Sequence, residues 1–153
     1  MAFRKIGVVG AGTMGNGIAQ AFAQAGFEVV MSDVAQAALD RAMKTIAGSY
    51  DRLIKKEKMT AEQKAAALGR IQTATELAAL KDSDLVIEAA TENLELKLKI
   101  FRQLDTLAGA DTVIASNTSS ISITKLAAAT QRPDRVIGMH FFNPVPLMAL
   151  VEL

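Results

Sequence analysis

The sequence predicts an α/β fold built on an open, doubly wound and mostly parallel sheet. Strand and helix patterns alternate along the chain, as expected when each crossover between parallel strands contains a helix. Half of the 153 residues are hydrophobic and only 5% are aromatic. This aliphatic composition suits strands that are buried on both faces. The third observation is a glycine-rich turn between the first predicted strand and the first predicted helix.

The predicted strands are short apolar runs that end at polar residues or at turns. They cover residues 6–9, 27–31, 71–74, 84–90, 113–115, 135–139 and 147–153. The predicted helices carry apolar residues three and four positions apart. They run from the glycine turn to Gly26, then over residues 35–54, 60–68, 94–108 and 123–129, with a helical turn at 76–80.

The segment 94–100 fits both patterns, because its apolar residues alternate with charged ones as in a strand. The apolar pattern continues through Phe101, Leu104 and Leu107, which is too long for a typical strand. Its Leu, Glu and Lys content favours a helix, and a crossover should follow the buried strand before it. We therefore predict a helix here.

Two helices between the second and third strands predict a helical-hairpin insertion. The first, at 35–54, runs into the charged cluster 55–58. Thr60 and Gln63 then match a capping box, so a second helix is expected to start at once. This pair is longer than a crossover requires, and such insertions often carry substrate contacts.

The turn at 10–15 has the spacing of a dinucleotide-binding loop. Gly10 would make the tight turn, Gly12 would let a pyrophosphate approach the backbone, and Gly15 would let the helix pack on the strand. Asp33 ends the second strand, where a carboxylate would bind the adenosine ribose. A negative charge there favours NAD over NADP. The alternative is a structural glycine turn followed by a surface aspartate.

Polar clusters follow three predicted strands, at residues 90–93, 116–120 and 140–143. Ligands of such sheets bind beyond the carboxyl ends of the strands, so three polar ends on one rim predict a cleft. His140 is the natural acid/base in it, and Glu152 could lie alongside and orient the imidazole. Ser119 and Asn143 could hydrogen-bond the same substrate oxygen. A histidine at a strand end could instead be structural.

Composition excludes several classes of function. The net charge is +1 and the basic residues are scattered, so no nucleic-acid surface is expected. No apolar run could span a membrane and no signal peptide is evident, which predicts a cytoplasmic protein that does not bind a membrane. With no cysteine and one histidine, neither disulfides nor a metal site are expected.

The chain resembles the N-terminal domain of the 3-hydroxyacyl-CoA dehydrogenases, most closely the bacterial 3-hydroxybutyryl-CoA members. The resemblance covers the whole chain and is most specific at GAGTMGNGIAQ (10–20), ASNTSS (115–120), HFFNPVP (140–146) and Glu152. It implies a single NAD-binding, Rossmann-like domain, 1–153. The activity it implies is NAD-dependent interconversion of (S)-3-hydroxyacyl-CoA and 3-oxoacyl-CoA.

The resemblance also implies residue roles. His140 would be the acid/base and Glu152 its partner, with Ser119 and Asn143 beside substrate or nicotinamide. The cofactor would be bound by Gly10, Gly12, Thr13, Met14, Gly15, Asp33, Glu92, Lys97, Ser119 and Asn143. The CoA part of the substrate would be met by Ser49, Lys56 and Ser119.

The resemblance implies that members of the family continue into an all-helical domain, which we expect to be absent from this chain. That domain forms the homodimer, closes over the acyl chain and supplies one polar residue of the active site. Without it, the apolar residues in the segment 141–153 are expected to make the isolated chain self-associate. A stand-alone NAD-binding module without turnover is an alternative. A 3-hydroxyacid dehydrogenase that uses a catalytic lysine is another, against which the sequence of the 140–146 turn argues.

Overall fold

The computed structural model describes residues 2–153 and confirms the predicted doubly wound sheet. Its strands are β1 (Lys5–Val9), β2 (Glu28–Ser32), β3 (Ile71–Ala74), β4 (Leu85–Glu88), β5 (Val113–Ser116) and β6 (Val136–Gly138). They lie in the order β3-β2-β1-β4-β5-β6, and every neighbouring pair is parallel. The winding direction reverses between β1 and β4, so the crevice for a ligand lies beyond the carboxyl ends of these two strands.

The helices also follow the predicted pattern. They are α1 (Thr13–Gln24), α2 (Gln36–Lys55), α3 (Ala61–Gly69), α4 (Leu94–Leu107) and α5 (Ile123–Ala128), with short 3-10 helices at Leu77–Leu80 and Pro133–Arg135. None of the helices within residues 2–153 has the length and apolar character needed to cross a membrane.

The local signals that start two of these helices are present as hydrogen bonds. At α3, Thr60 Oγ1 accepts from the Gln63 amide at 3.1 Å and Gln63 Oε1 accepts from the Thr60 amide at 2.9 Å. This reciprocal capping box starts α3 directly behind α2 and forms the hairpin. The ambiguous segment is helical as predicted, and Asn93 Oδ1 caps α4 by accepting from the Leu96 amide at 3.0 Å.

The prediction of a strand over 147–153 is wrong for most of its length. The amides of Leu147 and Met148 instead donate to the Pro144 carbonyl, which closes a turn. Only Val151–Glu152 forms a strand, β8, which pairs antiparallel with β7 (His140–Phe141) in a separate two-stranded sheet. The strand predicted over 135–139 is also shorter, because the 3-10 helix at Pro133–Arg135 occupies its start.

The strands alternate their side chains between two apolar layers, as a sheet covered on both faces requires. One layer joins β1, β2 and β4 to α1, α2 and α3, through residues such as Ile6, Met31, Ile87, Ile18 and Leu39. The other joins the sheet to α4 and α5, through residues such as Val86, Ile114, Phe101, Leu104 and Leu126. Both faces of the sheet are therefore buried, and the rim at the strand ends remains free for ligands.

Tyr50 fastens α2 to α1 inside the first layer. Its side chain is fully buried, and its hydroxyl donates to the Gln20 carbonyl at 2.8 Å. Burial raises the pKa of Tyr50 to about 12, although the nearby charge of Arg70 acts in the opposite direction. Because the phenol must stay neutral to remain there, the packing of α2 on α1 depends on pH.

We predict an alkaline loss of stability that Tyr50 causes. The pKa is raised on folding, so the contribution of the neutral phenol is complete below pH 10 and is lost as pH rises towards 12. Tyr50→Phe should lower the free energy of unfolding by about 1 kcal/mol at neutral pH. The free energy of unfolding of this variant should also depend less on pH above pH 10 than that of the parent chain. Tyr50 is the only tyrosine and there is no tryptophan, so phenolate absorbance reports the ionisation directly. Identical alkaline unfolding in both proteins would contradict this.

A second prediction concerns an apolar surface near β8. Leu147, Leu150 and Leu153 are 73, 61 and 84% exposed, and Met148 and Val151 are also exposed. Exposed apolar residues concentrated in one segment promote association. We therefore expect the isolated chain to self-associate through this surface. Light scattering over a concentration series should show it, and Leu150→Asp should reduce it. Val34→Asp is the matched control, because Val34 is 93% exposed but lies after β2. A strictly monomeric parent chain would refute the prediction.

Candidate cofactor and substrate site

The glycine loop turns sharply because its glycines have no side chains. Gly10 adopts a φ of +104°, and a Cβ on it would lie 2.7 Å from the Ala89 carbonyl oxygen. A Cβ on Gly15 would overlap the carbonyl oxygen of Gly10. A Cβ on Gly12, in contrast, would meet no atom within 4 Å. The backbone is therefore packed tightly at Gly10 and Gly15 and open at Gly12, as expected where a phosphate approaches.

The open side of the loop faces a cavity of about 280 Å³ at the strand ends. Its lining comprises Gly12, Thr13, Met14, Ala89, Ala90, Thr91, Glu92, Lys97, Asn117 and Thr118. Helix α1 begins at this cavity with Gly12 as its N-cap, no side-chain cap and no acidic residue in the first turn. Its free amide groups and positive dipole end thus suit an anion. These residues fit the pyrophosphate of a dinucleotide.

Asp33 lies at the end of β2, beside the glycine loop. Its carboxylate accepts hydrogen bonds from the Ala11 amide at 2.9 Å and from the Ala35 amide at 3.0 Å. The side chain is half-buried. Asp33, which is predicted to bind the ribose, thus also fixes the loop that would bind the pyrophosphate. Each of its carboxylate oxygens keeps a further lone pair for a ribose hydroxyl.

A buried ion pair that the sequence patterns do not predict lies below the cavity. Glu88 is fully buried at the end of β4, and its Oε1 lies 2.6 Å from Nζ of Lys97, which is 1% exposed. The same carboxylate accepts from Ser116 Oγ at 2.8 Å and from the Ala90 amide at 2.8 Å. Glu88 therefore joins β4, β5 and α4. Its signal in the sequence was a single carboxylate at the end of an apolar strand, which needs a buried partner.

Lys97, a predicted cofactor-binding residue, lines the cavity, but its amino group is directed at Glu88. Glu92 is exposed on the same rim, and its Oε2 accepts from Thr118 Oγ1 at 2.9 Å and from Ser120 Oγ at 3.0 Å. These two bonds connect the loop after β4 with the loop after β5. The rim is thus held together by carboxylates that bind serine and threonine hydroxyls.

The pairing of β7 with β8 brings the predicted catalytic pair together. His140 and Glu152 stand directly opposite each other in the antiparallel register. Such partners project from the same face with Cβ atoms about 5 Å apart. In this structure no hydrogen bond joins the two side chains, and the imidazole lies against the Phe142 ring at a centroid distance of 4.6 Å. The strand pairing therefore places the carboxylate beside the imidazole without fixing the contact.

The remaining predicted residues divide into two groups. Ser119 and Asn143 are exposed on the rim, in the loops after β5 and β7. Ser49 and Lys56 lie on α2 and at its end, about two helical turns apart on one face. Ser49 Oγ accepts from Gln20 Nε2 at 2.7 Å, and Lys56 is exposed. Among residues 2–153, no cluster of three or more His, Asp or Glu side chains could hold a metal ion.

Comparison with known proteins identifies the domain. The family model for the NAD binding domain of 3-hydroxyacyl-CoA dehydrogenase matches residues 5–153. A 3-hydroxybutyryl-CoA dehydrogenase of Bradyrhizobium diazoefficiens is 55% identical over 150 residues, which are 98% of this chain and 51% of that protein. A 3-hydroxybutyryl-CoA dehydrogenase of Clostridioides difficile is 46% identical over 97% of this chain and 53% of that protein.

The similarity extends to solved structures. The crystal structure of (S)-3-hydroxybutyryl-CoA dehydrogenase from Ralstonia eutropha matches with 62% identity and a TM-score of 0.96, over 98% of this chain and 53% of that one. The chain spans about half the length of the curated relatives it matches. With the glycine loop, the acid after β2 and the polar rim in place, the chain belongs to the family of NAD-binding domains of the 3-hydroxyacyl-CoA dehydrogenases.

Proposed function

We propose that this chain is the NAD-binding half of an oxidoreductase that interconverts (S)-3-hydroxyacyl-CoA and 3-oxoacyl-CoA, with 3-hydroxybutyryl-CoA as the substrate. The observation that carries the proposal is the register of β7 and β8, which sets His140 opposite Glu152 on the rim that carries the glycine loop. The names of the relatives support the choice of substrate.

The chain's own residues would hold the cofactor along the strand ends. The first turn of α1 and Gly12 would bind the pyrophosphate, and Asp33 the adenosine ribose. Glu92, Lys97, Ser119 and Asn143 would lie along the nicotinamide half, as the resemblance implies. The bound nicotinamide supplies the hydride acceptor for the oxidation of the alcohol.

His140 would exchange the proton of the substrate oxygen. It accepts the proton of the 3-hydroxyl when the alcohol is oxidised and returns it when the ketone is reduced. Glu152, on the same face of the β7–β8 pair, would bind the second imidazole nitrogen and stabilise the charged ring. Ser119 and Asn143 are exposed at the same rim and would donate hydrogen bonds to the substrate oxygen.

Ser49 and Lys56 would meet the CoA part of the substrate from helix α2. Lys56 is an exposed cation at the end of the helix and suits a phosphate. Ser49 is held towards α1 by Gln20, so its hydroxyl stands between the cofactor helix and the hairpin. The homodimer of the longer protein and its cytoplasmic location remain predictions.

A module that binds NAD without turnover is the second candidate. It is favoured by the absence of a hydrogen bond between the His140 and Glu152 side chains, although the two residues stand opposite each other in the strand register. The deciding experiment adds acetoacetyl-CoA to this chain with NADH and follows the consumption of NADH. Consumption above that of the His140→Gln variant supports the dehydrogenase. NADH binding with no consumption supports the module.

Cofactor choice gives a prediction for Asp33. NAD(H) should bind more tightly than NADP(H), because a 2′-phosphate would lie beside the Asp33 carboxylate. Asp33→Asn removes the charge and should narrow the ratio of affinities by about tenfold, equivalent to about 1.4 kcal/mol. Calorimetric titration of both cofactors measures it. Asp40→Asn is the control, because Asp40 is exposed on α2 and bonds only Gln36. Equal affinities of the parent chain for NAD(H) and NADP(H) would contradict the assignment of Asp33 to the ribose site.

The acid/base pair gives a second prediction. His140→Gln should leave NADH affinity unchanged and reduce turnover by roughly 10² to 10⁴, the usual contribution of a positioned acid/base. Glu152→Gln should also lower turnover, since the charged imidazole loses its counter-charge. Glu28→Gln is the matched control, because Glu28 is exposed at the opposite end of the sheet, where β2 starts. Near-normal turnover in both variants would show that His140 and Glu152 do not take part in the proton transfer.

A further inference from the structure

The interior of helix α1 contains a glycine that the cofactor loop does not explain. Gly17 lies two residues beyond the last glycine of the loop and is buried. A Cβ placed on it would lie 2.9 Å from Cβ and 3.1 Å from Cγ2 of Val145. Glycine within a helix costs about 1 kcal/mol relative to alanine, so this contact gives a physical reason for the residue. Val145 sits in the notch that Gly17 leaves in the helix surface.

The notch lies under the segment that carries the proposed acid/base. We name the residues 140–146 the histidine turn. Val145 is 6% exposed although both its neighbours in the chain are exposed. It is therefore the residue that anchors the far end of the turn to the helix. At the near end, Asn117 Oδ1 accepts from the Phe141 amide at 2.8 Å. The Phe141 ring also packs edge-on against Phe22 of α1 at 6.2 Å.

The helix is the less movable side of this contact. Ile18 and Ala19 beside Gly17 are fully buried in the layer that covers β1 and β2. The histidine turn, by contrast, is exposed at Asn143 and Pro144 and rests on the helix from outside. A methyl group on Gly17 would therefore displace the turn rather than α1, and His140 and Asn143 would move with it.

We propose that Gly17 and Val145 are positioning residues, which set the histidine turn against the cofactor helix and so place His140 relative to the bound cofactor. The role in turnover rests on the proposed function, whereas the effect on the position of His140 does not. Helix α1 would thus have two roles. Its first turn binds the pyrophosphate, and the notch one turn later holds Val145 and so positions the turn that carries His140. A displacement of about 1 Å remote from the reacting atoms can cost up to about 10²-fold in rate.

Nuclear magnetic resonance of the single histidine tests the proposal in this chain. Gly17→Ala should shift the imidazole resonances of His140, leave NADH affinity within about twofold, and lower kcat about 10- to 100-fold. Val145→Ala, which empties the notch without touching α1, should also shift the resonances. The double variant Gly17→Ala/Val145→Ala should restore them, because the new methyl group occupies the space that the valine left. Such non-additivity is the signature of a direct contact.

Gly48→Ala is the matched control. Gly48 lies inside α2, and a Cβ on it would meet only Arg52 Nη1, at 3.8 Å. It should raise Tm and leave the His140 resonances in place. The proposal is overturned if Gly17→Ala leaves the resonances unchanged, or if the double variant fails to restore them. If Gly17→Ala does not fold, Val145→Ala alone decides, and unchanged resonances overturn the proposal. Shifted and restored resonances in a chain without turnover would support the placement of His140 and favour the NAD-binding module over the dehydrogenase.

Discussion

Helix α1 packs closely against the chain around it, and this packing positions most of the elements that form the site. Gly15 faces the carbonyl oxygen of Gly10 with no room for a side chain, and Gly10 itself turns under Ala89 with a positive φ. This packing aims the first turn of α1 at the crevice between β1 and β4, where the sheet reverses its winding. Helix α1 then supplies the surface on which α2, α3 and the histidine turn rest.

A second constraint is electrostatic and lies at the ends of β4 and β5. Removing Glu88 and Lys97 from water is costly, and the cost is offset because the carboxylate accepts three hydrogen bonds. Those bonds reach the loop after β4, the end of β5 and helix α4. The two loops that line the cofactor cavity are thereby fixed from below, while Glu92 joins them from above through Thr118 and Ser120. A rigid rim of this kind favours one cofactor orientation.

The fold was predictable from the sequence because its local signals agree. The glycine loop, the capping box at Thr60 and the apolar runs of the parallel strands each specify one geometry. The path after Pro144 was not predictable from hydropathy, since apolar residues there suggested a strand where backbone hydrogen bonds close a turn. The placement of Glu152 opposite His140 was predictable, because the segment between them is long enough for a turn that pairs their two strands. Their side-chain contact was not, because the position of an exposed side chain such as that of Glu152 depends on what it binds.

The buried partners were least predictable, because they depend on contacts between distant residues. Nothing local to Glu88 indicates that Ser116, 28 positions on, will donate to it. Nothing local to Gly17 indicates that Val145 will fill its notch. A charged residue in an apolar strand and a glycine in a helix both signal an unusual neighbour, but neither signal names that neighbour.

If the carboxyl ends of the strands form one cofactor site, titration with NADH should change the amide chemical shifts of the residues around it. Shifts should concentrate at the cavity, with Gly12, Thr91 and Thr118 as reporters. The surface at the opposite end of the sheet, reported by Ser83, Asp84 and Gly109, should not respond. Shifts confined to that opposite end, or no shifts at saturating NADH, would mean that the cofactor does not bind at the carboxyl ends of the strands.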